Sequence, residues 1–231
     1  MCLLEQKFQK YNPQNRIRNK HAFYRENGRT IEPSEISSKS LNEDWGFNSV
    51  QFGNYMNDLS SKDHITKFVT SLKDLKDALE FDLKKAIQKG KLSMAFGARG
   101  KPGQAASYDS GFRIINITKT NGDGSVAHEF GHFIDHLCSE LNANRDRSHF
   151  ISRNPKGLFV KPVQNLISAI TRKENGEKTD FYKNVQKISG KDFSSIQEYF
   201  ARPFESYVED SLEKKTMKNT YLVAPNKMSK V

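Results

Sequence analysis

His128, Glu129 and His132 are the residues of this chain whose types and spacing could do chemistry together. They stand in the pentapeptide His128-Glu129-Phe130-Gly131-His132, an H-E-x-x-H pattern. On a helix, positions four apart share a face, so the two imidazoles can grip one metal ion from successive turns. Glu129 adjoins the first of them and can take a proton from water without itself being a ligand. Zinc is the ion this set implies. Held there, it lowers the pKa of a water molecule toward roughly 7, so that hydroxide is available at cellular pH. The competing reading is a surface helix that carries two histidines and no metal.

Such a pair works only if a helix presents it, and the flanking residues predict one. Ser125 is a suitable N-cap after the turn-rich Asn121-Gly122-Asp123-Gly124, and only Gly131 interrupts the run to Leu141. Val126, Phe130, Phe133, Ile134 and Leu137 supply apolar positions at helical spacing, enough to pack the far side. His136 continues the histidine face, but at 1.5 Å per residue it lies about 12 Å along the axis from His128 and cannot share its metal.

A catalytic zinc site usually has three protein ligands and a fourth position left for water. The third ligand is expected from Glu198 to Asp210, a helical pattern offering Glu198, Glu205 and Glu209 on one broad face. Each of the two leading glutamates also fits a role away from any metal. Ser195-Ile196-Gln197-Glu198 fits a capping box, and Glu205 could pair with Arg202 on a solvated face. Spacing does not choose between them. Cys2 and Cys138 are the two cysteines, in no metal-ligand spacing. Cys138 reads as a buried thiol on the histidine helix.

HEFGH, an Asp soon after it, and a downstream Glu-aromatic-Phe-Ala-x-x-Phe helix resemble the gluzincin metallopeptidases, in particular the catalytic domain of anthrax lethal factor. That resemblance implies zinc held by His128, His132 and Glu198, with Glu129 as general base and Glu205 as reserve ligand. The chain departs from it at Arg202, where the relative has an acidic residue, and at Pro203, which disfavours an unbroken helix.

A second resemblance spans more of the chain. Trp45-Gly46-Phe47, Val50 to Tyr55, AFGARG at 95–100, INITKT at 115–120, SVAHEFGHFID at 125–135, ARPFESYVED at 201–210 and Tyr221-Leu222-Val223 are similar to the first large polyvalent-protein-associated domain of phages and conjugative elements. The likeness runs from about Leu41 to the C-terminus. It implies a mobile-element protein, a presumed metallopeptidase, working in the cytoplasm of a bacterial host.

Composition agrees with a globular chain: of 231 residues, 35% are hydrophobic and 28% charged. No apolar run is long enough to span a membrane, and the start at Met1-Cys2-Leu3-Leu4 is too short in apolar residues for a signal peptide. The net charge of +10 is partly concentrated in Lys7, Lys10, Arg16, Arg18, Lys20, Arg25 and Arg29, with Phe8, Tyr11, Phe23 and Tyr24 interleaved. Basic groups among aromatics suit a nucleic-acid strand. A solvated arm, or one packed on the domain, has the same composition.

The expected organisation is a basic polar arm at 1–40 and a zincin-like metallopeptidase domain at 41–231. The fold class is α+β, mainly helical, with a small mixed sheet beside the H-E-x-x-H helix. The apolar stripe Ile65, Phe68, Val69, Leu72, Leu75, Leu79, Leu83 and Ile87 predicts one helix over 62–89. Residues 91–96 and 112–118 read as strands joined by a long connection over 97–111, with 112–118 at the sheet edge. Helices are expected near 162–172 and 180–189. Arg99 and Gly100 to Gly103 could flank a cleft there, or form an ordinary connection. The expected activity is zinc-dependent hydrolysis of peptide bonds in a host protein or a self polyprotein. The alternative is a zincin-shaped antirestriction or nucleic-acid-associated binding module without proteolysis.

Overall fold

The computed structural model describes residues 23–54, 56–99, 104–119, 122–141, 150–183 and 196–224. Lys7, Lys10, Arg16, Arg18 and Lys20, most of the expected basic cluster, lie outside them, as do 100–103 and most of the helix expected at 180–189. The architecture is α+β, mainly helical, with a small mixed sheet. In chain order come β1 (Arg25–Glu26), α1 (Ser38–Glu43), β2 (Val50–Phe52), α2 (Asp58–Leu79), α3 (Leu83–Gly90), β3 (Ser93–Phe96), β4 (Ala106–Asp109) and β5 (Ile114–Ile117). They are followed by α4 (Val126–Ser139), α5 (Val160–Thr171), α6 (Glu198–Lys214) and β6 (Lys218–Asn219).

The single helix expected over 62–89 is two. Asn57 caps α2 by accepting from Ser60 N–H, and the helix stops at Glu80, whose φ of 57° is left-handed. Asp82 then caps α3 through Lys85 N–H. No Gly or Pro marks the break, so the apolar stripe reads straight across it. Ile65, Phe68, Val69, Leu72 and Leu75 are buried from α2, and Leu83 and Ile87 from α3, in the same core.

The main sheet has the order β2-β3-β5-β4. β2, β3 and β5 are parallel, and β4 runs antiparallel to β5 with Tyr108 opposite Ile115. The edge strand on that side is therefore β4, inside the expected connection, and β5 is internal rather than at the edge. Ala106-Ser107-Tyr108-Asp109 has little strand propensity apart from Tyr108, so pairing with β5 rather than composition makes it a strand. Met94, Phe96, Ile115 and Ile117 alternate onto one face and join α2, α4 and α6 in the core.

α4 lies inside this core through Val126, Ala127, Phe130, Phe133 and Leu137. Its first turn is held in an unexpected way. Ser125 is the N-cap, but its side chain makes no capping bond. The C-terminal segment takes over: Ala127 N–H donates to Leu222 O, Gly124 N–H to Tyr221 O, and Ala224 N–H to Gly124 O. Gly124 has φ +80°, and a Cβ there would sit 2.7 Å from Ala224 backbone atoms. Only glycine fits this crossing.

That segment is pinned in turn by a buried polar chain. Asn219 Oδ1 accepts from the N–H groups of Tyr221 and Leu222, and its Nδ2 donates to Asp74 on α2. Arg25 completes the chain with two hydrogen bonds to Asp74, while Arg29 pairs with Asp77. β1 pairs antiparallel with β6, Arg25 opposite Asn219. Arg25 and Arg29 of the basic cluster thus serve the fold. Among the described residues no helix is long and apolar enough to cross a membrane.

Candidate metal centre

α4 and α6 cross closely, and the closeness has a visible cause. A Cβ on Gly131 would lie 2.9 Å from Ala201 Cα and 3.2 Å from both its carbonyl oxygen and the Phe204 ring. Gly131 sits between the two histidines, so its missing side chain lets the backbone of α6 approach the histidine face. Pro203 lies inside α6 without ending it. The proline removes one backbone donor, and burial of Tyr199, Ala201, Pro203 and Val208 holds the helix together across that gap.

The crossing brings His128, His132 and Glu198 together, with one ligand atom from each lying within 4.8 Å of the others. Glu198 Oε1 is 3.2 Å from His132 Nε2 and 3.6 Å from His128 Nε2. Zinc–ligand bonds of about 2.0–2.2 Å in a tetrahedron put ligand atoms about 3.3–3.6 Å apart, so these two separations suit such an ion. The two imidazoles stand nearly perpendicular, at 87°.

Glu198 is the first residue of α6, with Gln197 as its N-cap; Ser195, the cap of the capping-box reading, lies outside the described residues. Glu205 is not on a solvated face: it is buried, and its Oε2 lies 3.4 Å from His128 Nδ1. The glutamates thus occupy opposite edges of one imidazole, Glu198 toward Nε2 and Glu205 behind Nδ1. A carboxylate behind a ligating imidazole fixes its tautomer and raises its basicity. Arg202 is buried too, with Nε 2.9 Å from Glu198 Oε2. Glu129 is buried beside His128.

The charges respond accordingly. Burial works against a charged His128, but Glu198 and Glu205 outweigh it and hold the ring up to about 9. Burial likewise opposes a charged Glu198, yet His128, His132 and Arg202 hold its carboxyl well below the usual range.

Several supporting residues were not legible in advance. Asp135, fully buried, accepts from the N–H and hydroxyl of Ser152; burial pushes its carboxyl up to about 6 against those bonds. His136, outside the cluster as its position on the helix implied, lies with Nδ1 2.7 Å from the Tyr108 hydroxyl, tying α4 to the edge strand. Arg99 is engaged on the sheet, through Asn116, Gln51 and the Phe112 ring. Tyr221 is fully buried against His64, 2.8 Å away, and Tyr207 is exposed. Cys138 is a free thiol, and burial pushes it up to about 11.

The family model described as large polyvalent protein-associated domain 1 matches residues 185–231. Those residues are similar to that domain. The match supports a phage or mobile-element setting, and it is narrower than the span from Leu41 that the motifs suggested. The domain brings Glu198, Arg202 and Glu205 to the site, together with the Asn219 to Ala224 segment that caps α4, whereas His128 and His132 precede it. No curated protein and no solved structure matches the chain.

Gly131→Ala tests the crossing. Alanine favours a helix interior over glycine by about 1 kcal/mol, but here the new methyl meets backbone. Overpacking of about 1–3 kcal/mol outweighs that gain. The expected result is a lower melting midpoint together with weaker metal uptake, because Glu198 rides on the displaced helix. A midpoint equal to or above wild type would show that the helices part without cost.

Proposed function

We propose that this chain is a zinc-dependent endopeptidase of gluzincin type, with a zincin-like fold, acting in the cytoplasm of a bacterium that hosts a phage or mobile element. The observation that carries the reading is the convergence of His128, His132 and Glu198, with Glu198 Oε1 3.6 Å and 3.2 Å from the two Nε2 atoms and one ligand atom of each residue within 4.8 Å of the others, and Glu129 buried alongside. His128, His132 and Glu198 would hold the ion, and Glu205 would orient His128 from behind. Bound zinc would supply the Lewis acid that polarises a peptide carbonyl and acidifies water.

The chain's own residues account for the remaining chemistry. Glu129 takes the proton from the attacking water and returns it to the leaving amine. β4 ends the sheet order and is tied to α4 by Tyr108 and His136, so its outer edge can seat an extended substrate by main-chain hydrogen bonds. A host protein or a self polyprotein would be the substrate. The basic N-terminal segment offers a contact for nucleic acid, through residues other than Arg25 and Arg29.

Elemental analysis of protein purified without added metal tests the reading. Near-stoichiometric zinc is expected in wild type and little in His128→Ala. Equal zinc in both would sink the assignment.

A further inference from the structure

We propose that Arg202 is a positioning residue that keeps Glu198 a one-oxygen ligand and so leaves a coordination position open for water. This rests on the metal-centre reading above. Glu198 and Arg202 are four apart on α6, one turn along the same face. Arg202 Nε lies 2.9 Å from Glu198 Oε2, while Oε1 points at the two imidazoles. Both side chains are almost wholly shielded, at 11% exposure each, so solvent does not screen the pair.

The division of labour between the two oxygens is the point. A carboxylate can bind a metal through one oxygen or both, and using both would add a donor beyond four and crowd the fourth position that a hydrolytic zinc site keeps for water. The guanidinium held 2.9 Å from Oε2 opposes that option, since the attraction of an ion pair shielded from solvent is only weakly screened. Glu198 needs such a restraint. It is the first residue of its helix, after an N-cap whose side chain makes no capping bond. Glu129, Glu198 and Glu205 are all buried, and Arg202 pairs with Glu198. The plainer alternative is an i,i+4 pair that merely supports the helix, worth about 0.2–0.5 kcal/mol on an exposed surface. Such a pair would leave the metal's coordination untouched.

Cobalt(II) distinguishes the two, because its visible absorption reports coordination number. Wild type, Arg202→Met and Arg202→Lys would each be stripped of metal, loaded with Co²⁺ alone, and followed by absorption, by Co²⁺ titration and by thermal melting. The expected wild-type spectrum has the intense bands of four-coordinate cobalt. Arg202→Met should show the weaker bands of higher coordination, with affinity shifted by about tenfold or more, as for other residues that orient ligands. Arg202→Lys keeps the charge and should restore part of the wild-type spectrum. A folded Arg202→Met with wild-type spectrum and affinity would overturn the proposal. If Arg202→Met does not fold, Arg202→Lys decides: an altered spectrum supports a role for the guanidinium, and a wild-type spectrum refutes it. Absence of cobalt binding by wild type would instead overturn the metal centre itself.

Discussion

Glu129→Gln is expected to keep its zinc and its melting midpoint while losing peptide cleavage by roughly 10²- to 10⁴-fold, the usual contribution of one positioned general base. Glu129 is buried next to His128 but stands outside the three-atom cluster, so the amide leaves the ligand set intact. Glutamine fills nearly the same space and cannot accept a proton at neutral pH. The measurement is cleavage of a peptide library or a host lysate by wild type and variant at equal zinc loading, with a chelator as control. Equal cleavage by both would assign the activity to a contaminating protease. No cleavage by wild type across the lysate would return the weight to a binding module.

Removing either of two glutamates should separate ligand from support. Glu198→Gln is expected to weaken zinc binding by at least about two orders of magnitude, since Oε1 faces both imidazoles. Glu205→Gln should cost less, within the roughly 10- to 100-fold of residues that orient a ligand, because glutamine keeps an oxygen on the Nδ1 side of His128, where Oε2 lies 3.4 Å away. Competition titration against a zinc-selective dye reads both. The opposite order, with Glu205→Gln stripping the metal, would make Glu205 the ligand.

The histidine pair was legible in the sequence because it needs only local spacing on one helix. Spacing alone did not choose between the glutamates, for a geometrical reason; Glu198 came only from the gluzincin resemblance. Glu198 and Glu205 are seven residues apart, almost two full turns, so any reading of helical faces places them together. Which one meets Nε2 is decided by where α6 crosses α4, and that depends on Gly131 against Ala201. The same limit applies to β4, a strand by virtue of its partner, and to the cap of α4, supplied by residues almost a hundred positions away. Arg202 and Pro203 looked like departures that weakened the site. Packing turns the first into a direct contact with Glu198 and tolerates the second within a buried helix.

The antiparallel pairing of β1 with β6 sets how this unit can be joined to others. Residues 25–26 and 218–219 lie side by side, so the incoming and outgoing backbone meet at one seam. A unit built this way adds almost nothing to the distance between whatever flanks it. It can be looped out of another protein's surface, or permuted by joining its two ends, without stretching its host. The seam is also bolted to the site, because Arg25 and Asn219 both hold Asp74 and Asn219 carries the turn that caps the histidine helix. A pull on such a junction would bear on the turn that caps the histidine helix.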